Sequence, residues 1–262
     1  MASGGAGPGS ADRAGRAANG RGLTATASAV VDVDAGRPRI RWTQAWPIVL
    51  RPTGDARVHL VHGAGGPLGG DVLALDVRVG ASATLAVRSA GATIVQPGRG
   101  PDPARWHFDV VVDAGASLDW APEPTVVTAG ADYRTSLRVD LAAGARAVVR
   151  EVVVLGRHGS TGGRYRGRLD VTVDGHPLLA HTTSLDGDDP ALCGPGGTAG
   201  GRAVGTLLLA GGLADGNLRT DGPVGERPDV RWAWTDLAGP GRALFAVGEP
   251  GAVIALLAAA GA

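Results

Sequence analysis

Apolar and polar residues alternate with a period of two through the middle of this chain, and this pattern constrains the fold more than any other feature. Successive side chains of a strand point to opposite faces, so a half-buried strand shows this alternation, whereas a helix repeats apolar residues every three to four positions. The pattern predicts an all-β fold over residues 23–185. The alternating sets are Leu73, Leu75, Val77 and Val79; Trp106, Phe108, Val110 and Val112; Tyr133, Thr135, Leu137 and Val139; and Leu169, Val171 and Val173.

Turn-forming residues support this prediction, because the 44 Gly and 17 Pro among 262 residues are too many for a helical bundle. Asp174-Gly175 is typical of a hairpin turn, since both positions tolerate a positive φ. The segment 187–201 breaks the alternation and is predicted to be a mobile loop. Two stretches near the C-terminus, 243–247 and 252–259, are predicted to be helical.

A weak internal repeat is also present. Gly-Ala dipeptides at 80–81, 115–116 and 144–145 each follow one alternating segment and precede another, and the glycines lie 35 and 29 residues apart. Stacked units that cannot bury their apolar faces alone would repeat in this way. Successive hairpins of an ordinary sandwich fit the same pattern, so periodicity alone leaves both architectures open.

The chain has no linker that would separate two domains. Residues 1–22 include thirteen Gly or Ala and no apolar run typical of a signal peptide, so they are predicted to form a disordered tail. Residues 23–262 then form one domain. The longest apolar stretch, Ala252–Ala262, is too short to span a bilayer, and a cytoplasmic location is predicted.

Charge and cysteine content exclude several functions. Lys+Arg and Asp+Glu both total 25, and this balance argues against a nucleic-acid partner or a polybasic membrane anchor. Every basic residue is arginine, which excludes chemistry that depends on a lysine, such as a Schiff base or a P-loop. Cys193 is the single cysteine, so the chain has neither an internal disulfide nor a cysteine-paired zinc site.

The glycine-rich run 63–70 does not fit a dinucleotide fingerprint, because its third glycine would fall on Leu68 and a strand follows it. It is predicted instead to be a tight turn. Within it, Gly70 and Asp71 are predicted to start the strand at Val72, with Asp71 holding backbone N–H groups. The serine-hydrolase elbow Gly-x-Ser-x-Gly does not occur in the sequence.

Glu151 is unusual because it precedes the apolar run 152–155. A carboxylate there is expected either to be exposed at the start of the strand or to pair with a cation, and Arg157 is the candidate partner. An alternative is a carbohydrate-active hydrolase of β fold, in which Glu123 and Glu151 would face each other across an open cleft. A third possibility, a sugar- or peptide-binding module, would require exposed aromatic side chains, and most of the ten aromatic residues are expected in the core.

Six segments, in order, resemble the UreD (UreH) family of urease accessory proteins. The sequence departs from the family at Ile94, where a lysine is usual, and at Pro124, where a glutamate is usual. The match covers about residues 56–185. The matching segments are 65–71 (GGPLGGD), 92–93 (AT), 118–123 (LDWAPE), 137–141 (LRVDL), 151–157 (EVVVLGR) and 169–175 (LDVTVDG).

The resemblance implies an elongated, solenoid-like stack of β-sheets with a small helical C-terminal part. It also implies a non-enzymatic urease maturation factor, a metallochaperone scaffold that bridges apo-urease and UreF. UreF recruits the GTPase UreG, which delivers nickel to the urease active site. No cofactor would be tightly bound, and nickel would only pass through.

Weak, exchangeable oxygen and imidazole ligands suit such transit. The candidate ligands are His59, His62, Asp71, His176, His181 and Asp186. Strand alternation is expected to place His59 and His62 on opposite faces, and likewise His176 and His181 unless the chain bends at Pro177. The residues predicted to be structural or to lie at an interface are Gly70, Asp71, Glu123, Glu151 and Arg157.

Overall fold

A computed structural model describes residues 24–35, 39–211 and 222–261, so the predicted tail 1–22 lies outside the described residues. A 3-10 turn, Pro190–Cys193, lies in the segment 187–202, which contains no strand. The described residues form one α-helix, α1 (Pro250–Ala260), and these strands: β1 (Thr26–Val33), β2 (Ile40–Gln44), β3 (Ile48–Gly54), β4 (Arg57–His62), β5 (Val72–Val79), β6 (Thr84–Ser89), β7 (Thr93–Val95), β8 (Ala104–Val112), β9 (Ser117–Trp120), β10 (Thr125–Val127), β11 (Asp132–Leu141), β12 (Arg146–Leu155), β13 (Arg164–Val173), β14 (His176–Asp186), β15 (Ala203–Ala210), β16 (Val224–Arg227), β17 (Val230–Asp236) and β18 (Gly241–Gly248).

Two sheets face each other. The seven-stranded sheet has the order β14-β13-β11-β8-β5-β1-β2, and the larger sheet runs β16-β17-β18-β15-β12-β9-β6-β4-β3, with β10 and β7 attached beside β12. The chain crosses from one sheet to the other and back, and equivalent strands of successive turns pair in parallel, as β5 with β8 and β6 with β9. The result is a β-solenoid of about four turns, so the predicted stacking is confirmed and the simple sandwich is not.

The corners explain the internal repeat. In each corner an alanine N–H donates to a carbonyl three residues earlier, from Ala83 to Gly80, from Ala116 to Asp113 and from Ala145 to Ala142. The third corner residue is left-handed, with φ of 60° at Ser82, 69° at Gly115 and 74° at Gly144. Gly115 and Gly144 are therefore equivalent to Ser82. The dipeptide at 80–81 is offset by two residues from its predicted equivalents.

The core lies between the inner faces of the two sheets, where the alternating apolar residues meet. Leu75, Val110 and Leu137 from one sheet and Leu85 and Val149 from the other are all essentially inaccessible to solvent. A second cluster lies on the outer face of the larger sheet, where α1 packs across β15 and β18. Glycine at position 205 permits this close packing, because a Cβ there would come within 2.6 Å of Leu257 and Val253 side-chain atoms.

The C-terminal region contains more strand than predicted. Residues 243–247 belong to β18 rather than to a helix, because β18 lies between β15 and β17 and hydrogen-bonds to both. Sheet pairing on both sides thus overrides the local preference of its alanines. The helix at 252–259 and the hairpin at Asp174-Gly175 are confirmed, with φ of 50° and 74° at the two turn residues. In the described chain, no helix has the length and hydrophobicity needed to cross a membrane.

Candidate functional site

The predicted turn at Gly70 and Asp71 is present and anchors the first solenoid turn. Gly70 has a φ of +93°. The carboxylate of Asp71 is buried, and it accepts hydrogen bonds from the N–H groups of Ala25 at 2.6 Å and Leu68 at 2.9 Å. Both oxygens of Asp71 are thus engaged by backbone donors that lie before β1 and before β5. This side chain ties the start of β1 to the loop that precedes β5.

His59 and His62 lie on opposite faces of β4, as the alternation predicts. His59 points outward with its Nδ1 atom 2.8 Å from Thr53 Oγ1. His62 points inward, and its ring lies edge-on to Trp106 at 5.9 Å between ring centroids. The Nδ1 atom of His62 lies 2.7 Å from the carbonyl oxygen of Ala64. A carbonyl only accepts, so Nδ1 carries the hydrogen and the neutral ring has its lone pair on Nε2.

The Nε2 atom of His62 is buried and has no hydrogen-bond partner among the described residues. His62 lines a pocket of about 470 Å³, here called the outer pocket, together with Thr93, Gln96, Trp106 and Arg157. A backbone carbonyl that fixes the tautomer of an imidazole, and so presents the other nitrogen, is the usual support of a metal-ligating histidine. The structure therefore shows His62 with Nδ1 engaged by a backbone carbonyl and Nε2 unpaired among the described residues.

A second, smaller cavity of about 50 Å³ lies between the sheets and is here called the inner cavity. The two spaces are neighbours, because Leu60, Ser89, Thr93 and Trp106 line both. The inner cavity combines two carboxyl side chains with hydroxyl and aromatic groups. These lining residues include Glu123, Glu151, Tyr133, Thr135, Tyr165, Phe108 and Trp120.

A gap in the sheet explains how Glu151 reaches this cavity. The first part of β12 pairs with β9 through Arg146–Val149, and its end pairs with β10 through Val153–Leu155. Residues 121–124 separate β9 from β10, so the middle of β12 has no ladder partner on that edge. On its other edge Glu151 is aligned with Thr206 of β15. Glu151 continues the inward row that includes Val149 and Val153, and thus faces the cavity.

Burial controls the ionisation of this cavity. It raises the pKa of Glu151 from 4.5 to about 7, because the charged carboxylate loses hydration. Burial also raises the pKa values of Tyr133 and Tyr165. Negative charge on Tyr165 and then on Glu151 raises the pKa of Tyr133 further, and negative charge on Glu151 raises that of Tyr165. A hydrogen bond of 3.0 Å to Thr135 Oγ1 opposes the rise at Tyr165. The group that titrates near neutral pH here is Glu151.

The predicted ion pair between Glu151 and Arg157 is wrong. Within the described residues Glu151 forms no salt bridge, and Arg157 is exposed at the outer pocket, where its N–H donates to Ser160 Oγ at 3.1 Å. The reason is their placement, because Glu151 faces the space between the sheets, whereas Arg157 follows the end of β12 and the left-handed Gly156 and is exposed. Burial of an unpaired carboxyl is costly, which is why the pKa of Glu151 rises instead.

The cavity does not support the hydrolase alternative. Glu123 and Glu151 do line the same space, but Glu123 is exposed at its rim and Glu151 lies inside. Pockets that bind organic ligands measure about 300–1,000 Å³. At about 50 Å³ the inner cavity has room for about three water molecules and not for two sugar rings.

The second predicted ligand set is spread along β14. A bulge, where Leu178 is skipped in the register, aligns His176 with Val173 and His181 with Leu169. Val173 and Leu169 share one face of β13, so the two histidines share a face as well, contrary to the alternation. They are still about 13 Å apart along the strand.

His181 and Asp186 have other partners. The ring of His181 packs on Phe245 at 4.6 Å between ring centroids, and burial lowers its pKa. Asp186 accepts a hydrogen bond from the N–H of Asp188 at 3.0 Å. Across residues 24–35, 39–211 and 222–261, the structure brings no three His, Cys, Asp or Glu side chains together as a metal site. The predicted ligands are therefore separate groups.

Several cavity residues were not predicted as functional. Trp106 and Trp120 are 2% exposed, and their indole N–H groups have no protein partner in the described chain. Tyr133 and Tyr165 complete the wall. Alternation identifies Trp106 and Tyr133 as inward-facing, but only the stacking of the solenoid turns places them around Glu151.

Comparison with known proteins gives the family. The model of the family described as UreD urease accessory protein matches residues 30–249. The urease accessory protein UreD of Parafrankia sp. (strain EAN1pec) is 39% identical over 253 residues, which cover 87% of this chain and 84% of that protein. UreD of Streptomyces avermitilis is 39% identical over 216 residues, or 81% of each chain.

UreD of Frankia casuarinae is 40% identical over 196 residues, which cover 63% of this chain and 61% of that protein. The chain thus spans about three fifths of the length of this relative and more than four fifths of the other two. The family model covers most of the chain, including every strand that lines the outer pocket and the inner cavity. The chain belongs to the UreD family of urease accessory proteins.

Proposed function

We propose that this protein is a cytoplasmic urease maturation factor that bridges apo-urease and the accessory proteins UreF and UreG and gives nickel a passage to the urease active site. In this proposal it is a scaffold and not an enzyme, and nickel is its cargo. The observation that carries the proposal is the adjacency of the outer pocket, with its bare His62 Nε2, and the inner cavity, with Glu151 inside.

The donors in the two spaces suit a divalent ion in transit. Imidazole nitrogen binds nickel well, and a carboxylate supplies negative charge to the space between the sheets. His62 and Glu151 lie in different spaces, so the ion would meet few protein ligands at a time and would keep water at its other positions. Few protein ligands give weak binding and fast exchange, which a passage requires.

The wall between the two spaces would set the rate of passage. Leu60, Ser89, Thr93 and Trp106 line both spaces, so an ion that moves inward from His62 must pass them. The hydroxyl groups of Ser89 and Thr93 can replace part of the water that the ion loses there. Ser89 is held in place, because its Oγ donates to the Gly91 carbonyl at 2.9 Å and accepts the N–H of Glu123 at 2.8 Å.

The bridging role is supported by family membership and by the shape of the fold. A solenoid presents two sheets and two ends, which gives separate surfaces to different partners. The passage runs between the sheets, so docking a nickel donor and a nickel acceptor would leave it intact. Urease maturation in turn supports the use of urea as a nitrogen source.

The experiment restores the gene to cells that express urease but lack this protein. The variants are His62→Ala, Glu151→Gln and the matched control His59→Ala, which alters the outward histidine of the same strand. Urease activity, nickel per urease active site and co-purification with UreF and urease are measured. The passage variants should keep the complex and lower both nickel content and activity, and the control should behave as the wild type.

Two results would overturn the proposal. Normal urease activation in cells without the protein would remove the function. Full nickel loading with the double variant of His62 and Glu151, in an intact complex, would remove the passage and leave only the bridging role.

A further inference from the structure

The seven-stranded sheet has an open edge at its N-terminal end. Strand β2 is the last strand of that sheet in the described residues. Ala45 N–H donates to the Ser28 carbonyl and Asp34 N–H to the Arg39 carbonyl, so the odd-numbered residues of this segment bond to β1. In an antiparallel ladder the alternate residues point the other way. The backbone N–H and C=O groups of Ile40, Trp42 and Gln44 therefore face away from β1.

The neighbouring edge of the other sheet is protected, whereas the edge at β2 has no such protection among the described residues. On β3, Pro52 has no N–H, and a bulge interrupts the register between Pro52 and Gly54. Proline and bulges are the common devices that prevent edge strands from pairing with other chains. The sequence of β2, Ile-Arg-Trp-Thr-Gln, contains neither.

Two tryptophans are exposed beside this edge. Trp42 is 44% exposed and Trp46 is 67% exposed, whereas Trp106, Trp120, Trp232 and Trp234 are buried. Trp46 covers Gly63, since a Cβ at that glycine would overlap the indole ring. Exposed aromatic side chains at the end of a solenoid are unfavourable unless another surface covers them.

We propose that two copies of this chain pair through β2 in an antiparallel arrangement centred on Trp42. Trp42 lies opposite Trp42 of the second copy, and Ile40 lies opposite Gln44. These residues carry the outward backbone groups, so this register forms about six backbone hydrogen bonds and joins the two sheets into one. The aromatic side chains at the two ends then cover each other.

The charges agree with this register. Arg41 lies opposite Thr43 of the second copy, so no like charges face each other on the paired strands. Arg41 also keeps its own ion pair with Asp34, at 2.7 Å. The pairing is isologous, because a two-fold axis through Trp42 exchanges the two strands and leaves no further edge open at this site.

A second copy fits the edge better than the chain's own N-terminal segment. Residues 1–22 include no β-branched and no aromatic residue, and they are rich in glycine. Such a sequence has little tendency to add a strand. Strand β2 itself offers Ile40, Trp42 and Thr43, which favour strand pairing.

The register is tested by disulfide trapping in the full-length protein. Arg41→Cys and Thr43→Cys are made separately, each in a Cys193→Ser background so that only one thiol is present. Mild oxidation of an equimolar mixture should give about tenfold more disulfide-linked dimer than either variant alone, because only the mixture places the two thiols opposite each other. Thr53→Cys on β3 is the control and should give little dimer in any mixture.

The edge is tested by sedimentation and hydrogen exchange between about 1 and 100 µM protein. The fraction of dimer should increase with protein concentration. The protection of the amides of Ile40, Trp42 and Gln44 from hydrogen exchange should increase in parallel. Trp42→Pro should abolish the dimer and the amide protection without lowering Tm, because the backbone N–H of Trp42 forms no hydrogen bond to β1. Trp42→Phe should retain the dimer and the protection. A monomer at every concentration would overturn the proposal. Protection that is independent of concentration and disappears on deletion of residues 1–22 would overturn it as well.

Discussion

The Nδ1 atom of His62 and the carbonyl oxygen of Ala64 lie 2.7 Å apart, and this contact fixes Nδ1 as the nitrogen that carries the hydrogen in the neutral imidazole. The other nitrogen, Nε2, is buried beside the outer pocket and has no hydrogen-bond partner among the described residues. His59 differs from it, because its ring is on the outer face of β4 and its Nδ1 contacts Thr53. Two histidines three residues apart thus have different chemistry.

Nickel binding to the purified protein should depend on His62 and not on His59. We expect weak binding, with micromolar dissociation constants that correspond to roughly 8 kcal/mol or less. His62→Ala should weaken it by about tenfold, or about 1.4 kcal/mol, and His59→Ala should leave it unchanged. Isothermal titration calorimetry with Ni²⁺ measures both. A nanomolar one-to-one site in the wild type would contradict a passage and indicate storage or a resident metal centre.

Asp71→Ala should destabilise the fold strongly, although Asp71 lies in a loop. Its buried carboxylate accepts two backbone hydrogen bonds that tie β1 to the loop before β5. Loss of two hydrogen bonds to a charged group should lower the free energy of unfolding by about 3 kcal/mol. Urea denaturation measures this, with Asp76→Ala as the control, because Asp76 lies on the outer face of β5 and forms no ion pair with the described residues. Equal stability of the two variants would contradict the anchoring role.

The strands could be predicted from sequence because each is half-buried and therefore alternates. Leu73, Trp106 and Leu169 all lie on inward faces as predicted. Prediction failed where sheet pairing replaced local preference, as for the alanines of β18, and where a bulge at Leu178 changed the face of His176. A bulge depends on the partner strand, so alternation along one strand cannot reveal it.

The candidate site could be predicted only in part. His62 and Glu151 stand out in the sequence, but the inner cavity results from the stacking of solenoid turns and from the break between β9 and β10. Residues 121–124 interrupt one turn where β12 continues, and this difference creates the gap beside Glu151. The ion pair with Arg157 was the reasonable expectation for a buried carboxylate. The structure instead accommodates Glu151 through its raised pKa.

Glu151→Gln should stabilise the protein at neutral and alkaline pH but not in acid. The pKa of Glu151 is about 7 in the folded state and near 4.5 when exposed, so the folded state holds this proton more tightly. Below about pH 4.5 both states are protonated and no penalty arises. As pH rises from 4.5 to 7 the unfolded state ionises first, and the wild type loses up to about 3 kcal/mol.

The glutamine variant cannot ionise, so it avoids this loss. The difference in Tm between Glu151→Gln and the wild type should be near zero at about pH 3.5, where both states are protonated, and should reach its full value above pH 7. Glu123→Gln, at the exposed rim of the same cavity, should show no such trend. A pH-independent difference for Glu151→Gln would mean that its carboxyl is hydrated in the folded protein.

The corner at Ser82 should be the place where one substitution stabilises the solenoid. Ser82, with a φ of 60°, occupies the left-handed position that glycine occupies in the next two corners, at Gly115 and Gly144. A residue with a Cβ is strained there, so Ser82→Gly should raise the free energy of unfolding by about 0.5–1 kcal/mol. Ser82→Ala removes the same hydroxyl but keeps the Cβ, and it should give no gain in the free energy of unfolding.

Gly144→Ala is the converse test, because the nearest atom to the new Cβ is 4.0 Å away and only the backbone conformation opposes it. This variant should lose about 1 kcal/mol in urea denaturation. If Ser82→Gly and Ser82→Ala changed stability equally, the hydroxyl and not the backbone would control this corner.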